Sequence, residues 1–173
     1  SNEGPLADYL AEHLAVEGCS VQRLDGNLLF SWGDPQIVFC THIDTVPPYI
    51  PPVVEKREDG QTIVRGRGTC DAKGQLFAMY NACLELAAKG YEGFGLLLVY
   101  GEETGSFGAK KFREQHPGGK YLIVGEPTDN KMVSASKGTK SFAVTVRGKS
   151  FHSGYPVYGA SAVERFVDMV GSL

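Results

Sequence analysis

The chain has little cysteine and a single tryptophan: four cysteines and one tryptophan in 173 residues, with no C-x-x-C pair. A disulfide framework is therefore not expected. Cys19, Cys40, Cys70 and Cys83 sit inside apolar or motif segments and read as reduced and mostly buried. Long apolar runs are missing too. The longest, residues 94–100 (FGLLLVY), falls far short of the ~20 residues that span a bilayer. There is no Lys/Arg block, and 17 basic against 20 acidic residues leave a formal charge of −3. That excludes the electrostatic footprint of a nucleic-acid binder. No signal-peptide pattern opens the chain, so the cytosol is the expected compartment. A Walker loop, an H-E-x-x-H helix and a complete G-x-G-x-x-G turn are also lacking, which removes the simplest nucleotide and single-helix zinc readings.

Glycine, by contrast, is abundant: 22 of 173 residues, about twice the usual ~7%. Many tight turns and close backbone approaches are implied. Hydrophobic residues make up 42% and charged residues 21%, ordinary values for a globular chain. The length suits one domain, or one domain and part of a second. Ser1-Asn2-Glu3 opens without Met and reads as the remnant of a cleaved tag; the other end falls within an apolar helical pattern.

Periodicity orders the rest. Leu6, Tyr9, Leu10, His13 and Leu14 recur at helical spacing, with Gly18 as the stop. Residues 21–24 and 27–31 read as strands joined by Asp25-Gly26, a hairpin signal. Residues 36–41 (QIVFCT) form a buried strand, and the proline-rich 47–52 a stiff loop. Residues 61–65 give another strand. A helix over 73–89 shows Leu76, Phe77, Tyr80, Cys83, Leu84 and Ala87 on one face and ends at Gly90. The run 94–100 reads as a strand covered on both faces, 106–115 as a short amphipathic helix and 121–124 as a further buried strand. Strands alternating with helices predict an α/β sheet covered by helices. After Glu126-Pro127-Thr128 the texture changes. Residues 132–136 and 140–147 alternate as strands, and 160–170 form a helix with Val163, Phe166, Val167 and Val170 on one face. A boundary near 129–137 divides a lobe at 4–130 from a smaller α+β unit at 131–173.

Candidate chemistry collects at strand ends. Thr41-His42-Ile43-Asp44 ends one strand, Cys70-Asp71 follows the turn at 66–69, Gly101-Glu102-Glu103 ends another strand and Gly125-Glu126-Pro127 a third. In open α/β sheets the carboxyl ends of strands border the ligand crevice. Several carboxylates gathered there would repel and rise in pKa unless a cation relieved them. A histidine with Asp/Glu donors suits Zn²⁺, and Asp44 is placed to hold one imidazole nitrogen while the other meets metal. Taken singly, each piece has an ordinary structural reading. His13 and His116 read as structural, and Cys70 as a packing residue.

Together the segments THIDTVP (41–47), GRGTCDAKG (66–74), GEETGS (101–106) and GEPT (125–128) resemble the di-zinc aminoacylase/carboxypeptidase family. That family includes acetylornithine deacetylase and succinyl-diaminopimelate desuccinylase, and the deacetylase is the nearest in flavour. The resemblance implies a zinc-exopeptidase-like core with a mainly parallel mixed sheet, followed by the start of a lid or dimerisation domain. It implies His42 and Glu126 as terminal ligands of one zinc, Asp71 as the carboxylate shared by two, with a cis peptide to Ala72, and Glu103 as ligand of the second. Glu102 would be the general base and Asp44 the orienting partner of His42. His152, in FHSGYP (151–156), would steady the oxyanion, often in the neighbouring subunit's site. Two Zn²⁺ ions are implied, with Co²⁺ or Mn²⁺ as substitutes. The expected partners are an N-acyl amino acid or short peptide and a second copy of the chain, with neither nucleic acid nor membrane.

The resemblance also shows what the chain lacks. Family members continue past the lid and return with a further histidine for the second zinc; here only His13, His42, His116 and His152 occur. A truncated member, nearly inactive alone, is therefore expected. In the family it resembles, a Glu at the GEPT position goes with deacylases and carboxypeptidases rather than aminopeptidases, so Glu126 favours removal of an acetyl or succinyl group from an N-acyl amino acid, with exopeptidase action (carboxypeptidase or di/tripeptidase) as one alternative. A degenerate, non-catalytic module that keeps the fold for metal binding or dimerisation stays open as the other.

Overall fold

Phe94, Leu96 and Leu98 pack on one side of their strand, Leu97 and Val99 on the other, and both sides are covered. The computed structural model describes residues 3–116, 119–138 and 140–172. Ser1-Asn2, read above as a tag remnant, and the final Leu173 lie outside the described residues. Two compact units are present, Ser1–Met132 and Val133–Leu173.

In the first unit the chain runs α1 (Gly4–His13), β1 (Ser20–Leu24), β2 (Asn27–Trp32), β3 (Ile37–His42), β4 (Val53–Lys56), β5 (Thr62–Arg65), α2 (Lys73–Ala88), β6 (Phe94–Val99), α3 (Phe107–Gln115) and β7 (Tyr121–Val124). Five strands form one sheet in the order β1-β2-β6-β3-β7. β3 lies parallel to both β6 and β7, while β2 is antiparallel to β1 and β6. β2 alone therefore runs against the other four, which is the expected mainly parallel mixed sheet. β4 and β5 form a separate antiparallel pair.

Two cores follow from the two faces. Leu28, Phe30, Trp32, Phe94, Leu96 and Leu98 meet Ala7 of α1 and Leu76 and Cys83 of α2. Leu29, Val38, Cys40, Leu97 and Val99 form the opposite core, against Phe112 of α3. In α2 the buried stripe is Leu76, Met79, Tyr80, Cys83, Leu84 and Ala87, and Phe77, expected on it, stands exposed. One residue is a 100° step on a helix, enough to leave a stripe. In α1 the stripe is Leu6, Ala7, Leu10, Ala11 and Leu14, while Tyr9 and His13 stack on each other outside it.

Three further expectations are corrected. β7 is not buried: among the described residues it is an edge strand paired with β3 alone, and all four of its side chains are exposed. Cys70 is exposed rather than packed, although Cys40 and Cys83 are buried. The strand patterns at 132–136 and 140–147 form no strand among the described residues, where the second unit has only the bridge between Lys149 and Ala160. An alternating segment needs a ladder partner, and a lone pair is marginal without a third strand or a covering helix. The helix expected there does form, as α4 (Ala162–Gly171), capped by Ser161, whose hydroxyl accepts from the Glu164 N–H at 3.2 Å. Its apolar side chains Val163, Phe166, Val167 and Val170 are exposed. No described helix is long and apolar enough to cross a membrane.

Candidate metal centre

Parallel strands place their carboxyl ends together, so β3, β6 and β7 deliver His42, Glu102-Glu103 and Glu126 to one edge of the sheet. Asp71 arrives from the turn that opens α2. The peptide from Asp71 to Ala72 is cis. One donor atom from each of His42, Asp71 and Glu103 lies within 4.8 Å of the others, a spacing that one metal ion can fill.

His42 is buried, and both of its ring nitrogens face oxygen. Nε2 lies 2.9 Å from Oδ1 of Asp71, and Nδ1 lies 3.2 Å from the Asp44 carbonyl and 3.4 Å from its carboxylate. Burial pulls the imidazole pKa down. The Asp71 hydrogen bond and the charges of Glu126, Asp44 and Asp71 outweigh it, so the ring titrates above its usual value. Glu126 is raised as well. Burial is the first cause, Asp71, Glu102 and Glu103 add to it, and His42 opposes. Lys73 is lowered by burial, which Asp44 and Asp71 partly offset.

The cluster gathers one imidazole and several carboxylates, a donor set whose mutual repulsion a cation would relieve. The Asp71 hydrogen bond and the neighbouring carboxylates raise His42, and burial followed by those carboxylates raises Glu126, so this point of the fold favours added positive charge. The residues fit a divalent metal with nitrogen and oxygen donors, Zn²⁺ first.

Asp44 does more than face the imidazole. Its Oδ1 accepts the Glu102 N–H and its Oδ2 the Glu103 N–H, each at 3.1 Å. One buried carboxylate thus ties the histidine strand end to the loop that carries the two glutamates. Other ties were not foreseen from sequence. Lys73 Nζ donates to the Ile43 carbonyl at 3.1 Å, fastening the opening of α2 to the end of β3. Thr41 Oγ1 donates to the Gly125 carbonyl at 2.9 Å, fastening the end of β7. Both residues stand inside quoted motifs, which was the only available signal.

The other histidines are each described within their own unit. His152 belongs to the second unit, exposed, with Nδ1 accepting from the Gly154 N–H at 3.0 Å. His13 stacks on Tyr9 and His116 on Phe112, in keeping with structural roles.

The chain as a whole is similar to known proteins. The chain is 35% identical to a "Probable carboxypeptidase" of Uncinocarpus reesii, covering all of this chain and 46% of that protein. It is 37% identical to a "Peptidase M20 domain-containing protein" of Schizosaccharomyces pombe, covering 94% of this chain and 43% of that one. Among solved structures it superposes on aminopeptidase PepT from Bacillus cereus with a TM-score of 0.68 at 24% identity, over 99% of this chain and 51% of that one. On a tripeptidase from Staphylococcus aureus the TM-score is 0.66 at 19% identity, over 97% and 49%. The chain thus spans about half the length of the relatives it matches. The model of peptidase family M20/M25/M40 matches residues 38–170, the stretch that holds every ligand candidate, and the chain belongs to that family.

Proposed function

We propose that the whole protein is a metal-dependent hydrolase that frees an amino acid from an amide bond, acting first on C-terminal peptide bonds. The observation that carries this reading is the convergence of His42, Asp71 and Glu103 within 4.8 Å, with Glu102 beside them in sequence and Glu126 close enough to be perturbed by the same charges. Similarity to the probable carboxypeptidase of Uncinocarpus reesii supports carboxypeptidase action. Removal of an acyl group from an N-acyl amino acid, of the acetylornithine deacetylase kind, is the second reading. Glu126 in the GEPT segment favours both over an aminopeptidase.

His42 and Glu126 would hold one zinc, Glu103 the other, and Asp71 would serve both. Bound there, zinc lowers the pKa of water towards neutrality and polarises the scissile carbonyl. Glu102 takes the water's proton and later gives it to the departing amine. Asp44 fixes the imidazole on one side and the two glutamate amides on the other. His152 would steady the oxyanion, from its own or a neighbouring subunit in a homodimer formed through the lid. The 173-residue chain alone is expected to bind metal and turn over little.

The deciding experiment assays the full-length protein against N-acetyl amino acids, succinylated amino acids, dipeptides and tripeptides, each with and without a free C-terminal carboxylate. Faster release from peptides ending in a free carboxylate is the expected result. A preference for acetyl or succinyl substrates would install the second reading. Cleavage that needs a free N-terminus would overturn both.

A further inference from the structure

The loop that carries Glu102 and Glu103 leaves β6 at Tyr100 and enters α3 at Gly108, and its two ends are clamped by one side chain. Asn27, fully buried at the start of β2, accepts the Tyr100 N–H on Oδ1 at 3.3 Å. Its Nδ2 donates to the Gly108 carbonyl at 2.9 Å. The loop closes on itself between the same residues, through Gly108 N–H to the Tyr100 carbonyl at 2.9 Å and Phe107 N–H to the Gly101 carbonyl at 3.1 Å.

The fit is tight from both directions. A Cβ on Gly108 would stand 2.3 Å from Asn27 Oδ1 and 2.7 Å from the Tyr100 backbone nitrogen. A Cβ on Gly26, just before Asn27, would stand 3.1 Å from the Tyr100 ring. The turn that holds Asn27 is itself fastened to α3, where Gln115 Nε2 donates to Asp25 Oδ2 at 2.6 Å. Residues 25–27 carry no chemistry of their own, yet they brace the loop that does.

We propose that Asn27 is a positioning residue for the Glu102–Glu103 pair. It holds both ends of their loop so that the two amides meet the Asp44 carboxylate before any metal arrives. The hydrolase reading supplies only what the pair does; the clamp stands on the hydrogen bonds above. An amide side chain suits the position because it offers a donor and an acceptor at once, and leaving either backbone group buried and unpaired is costly.

The test compares the 173-residue chain with Asn27→Ala, Gly108→Ala and a control, Phe30→Leu, which thins the core of the same strand without touching the loop. Amide hydrogen exchange at Glu102 and Glu103 is read by NMR on metal-free protein, well below each melting temperature. In both Asn27→Ala and Gly108→Ala exchange should quicken about tenfold at those two amides, and in Phe30→Leu it should keep step with global stability. Affinity for Co²⁺, read from its visible spectrum, should weaken about tenfold in the first two variants, as when a partner behind a metal ligand is lost. Unchanged exchange at Glu102 and Glu103 in Asn27→Ala would overturn the proposal. So would an equal rise in Phe30→Leu. Because the exchange measurement needs no metal, it decides the clamp whatever the cobalt titration says of the hydrolase reading. Should Asn27→Ala not fold, Gly108→Ala carries the same prediction from the other side of the contact.

Discussion

β6 and β7 are near twins in sequence and opposites in setting. FGLLLV and YLIV are both apolar runs, and a Gly-Glu pair follows each, directly after YLIV and one residue on, past Tyr100, after FGLLLV. In β6 Phe94, Leu96, Leu97, Leu98 and Val99 are 3% exposed or less; in β7 Tyr121, Leu122, Ile123 and Val124 are 66, 60, 47 and 56% exposed. β6 has β2 on one side, β3 on the other and a helical core against each face, whereas β7 has β3 alone. Their ends differ in the same sense. The loop after β6 is held by the carboxylate of Asp44 and the amide of Asn27, and the end of β7 by the Thr41 hydroxyl. An apolar run identifies a strand, but only its neighbours decide how firmly that strand presents what it carries.

The sharpest way to break the comparison is to remove equal volumes from both strands. Leu98→Ala should destabilise the chain by about 2–5 kcal/mol, through lost burial and a residual cavity. Leu122→Ala, on the exposed strand, should stay within about 0.5 kcal/mol. Urea denaturation of the two variants gives both values. Equal losses would mean that β7 is covered in solution. Next in size is Asp44→Asn. An amide nitrogen would then face the N–H of Glu102 or of Glu103, so one charge-assisted hydrogen bond is lost and another weakened. The expected cost is about 1.5–3 kcal/mol, read by thermal unfolding of metal-free protein. A variant as stable as the parent would show that the loop after β6 needs no such tie.

These two strands also mark how far the sequence could be read. Continuous apolar runs found β3, β6 and β7 within a residue or so of their observed bounds, because such runs have few other folded uses. They could not tell a central strand from an edge, since exposure depends on what lies alongside. β4 escaped notice because VVEK after two prolines has neither alternation nor length. The strands expected at 132–147 alternate correctly and still form no ladder among the described residues, because pairing is a property of two segments. The site divides in the same manner. The convergence of His42, Asp71 and Glu103 was legible from the four motifs and the resemblance they carry. Asn27, Thr41 and Lys73 were not, because each is a single polar residue bonded to a backbone atom 81, 84 or 30 positions away.

The weaker of the two strand ends makes a smaller prediction. Thr41→Val keeps shape and removes the Thr41 hydroxyl that donates to the Gly125 carbonyl, at a net cost of about 0.5–1.5 kcal/mol. If Glu126 is a ligand, zinc affinity should fall by no more than about tenfold, since 1.4 kcal/mol corresponds to that factor. Competition with a coloured chelator measures it. A fall as large as that of Glu103→Ala, the candidate ligand on the loop after β6, would place the ends of β6 and β7 on equal footing.

The smallest effect concerns the thiols, and it separates the two sides of the comparison without altering stability. Burial pushes Cys40, in the strand between β6 and β7, and Cys83, in α2, up to about 12. At pH 8 neither supplies thiolate, the form that reacts. Cys70 is exposed beside Asp71 and should be the first to be alkylated by iodoacetamide, with Cys19, half-buried and raised by burial, slower. Peptide mapping of a time course gives the order. Cys40 stands in β3, paired in the sheet with Leu97 of β6 on one side and Val124 of the exposed β7 on the other, so its labelling reports whether the edge strand stays paired. Protection of Cys40 equal to that of Cys83 is expected. Labelling of Cys40 ahead of Cys83 would show β7 peeling from β3, and with it the Glu126 end of the site.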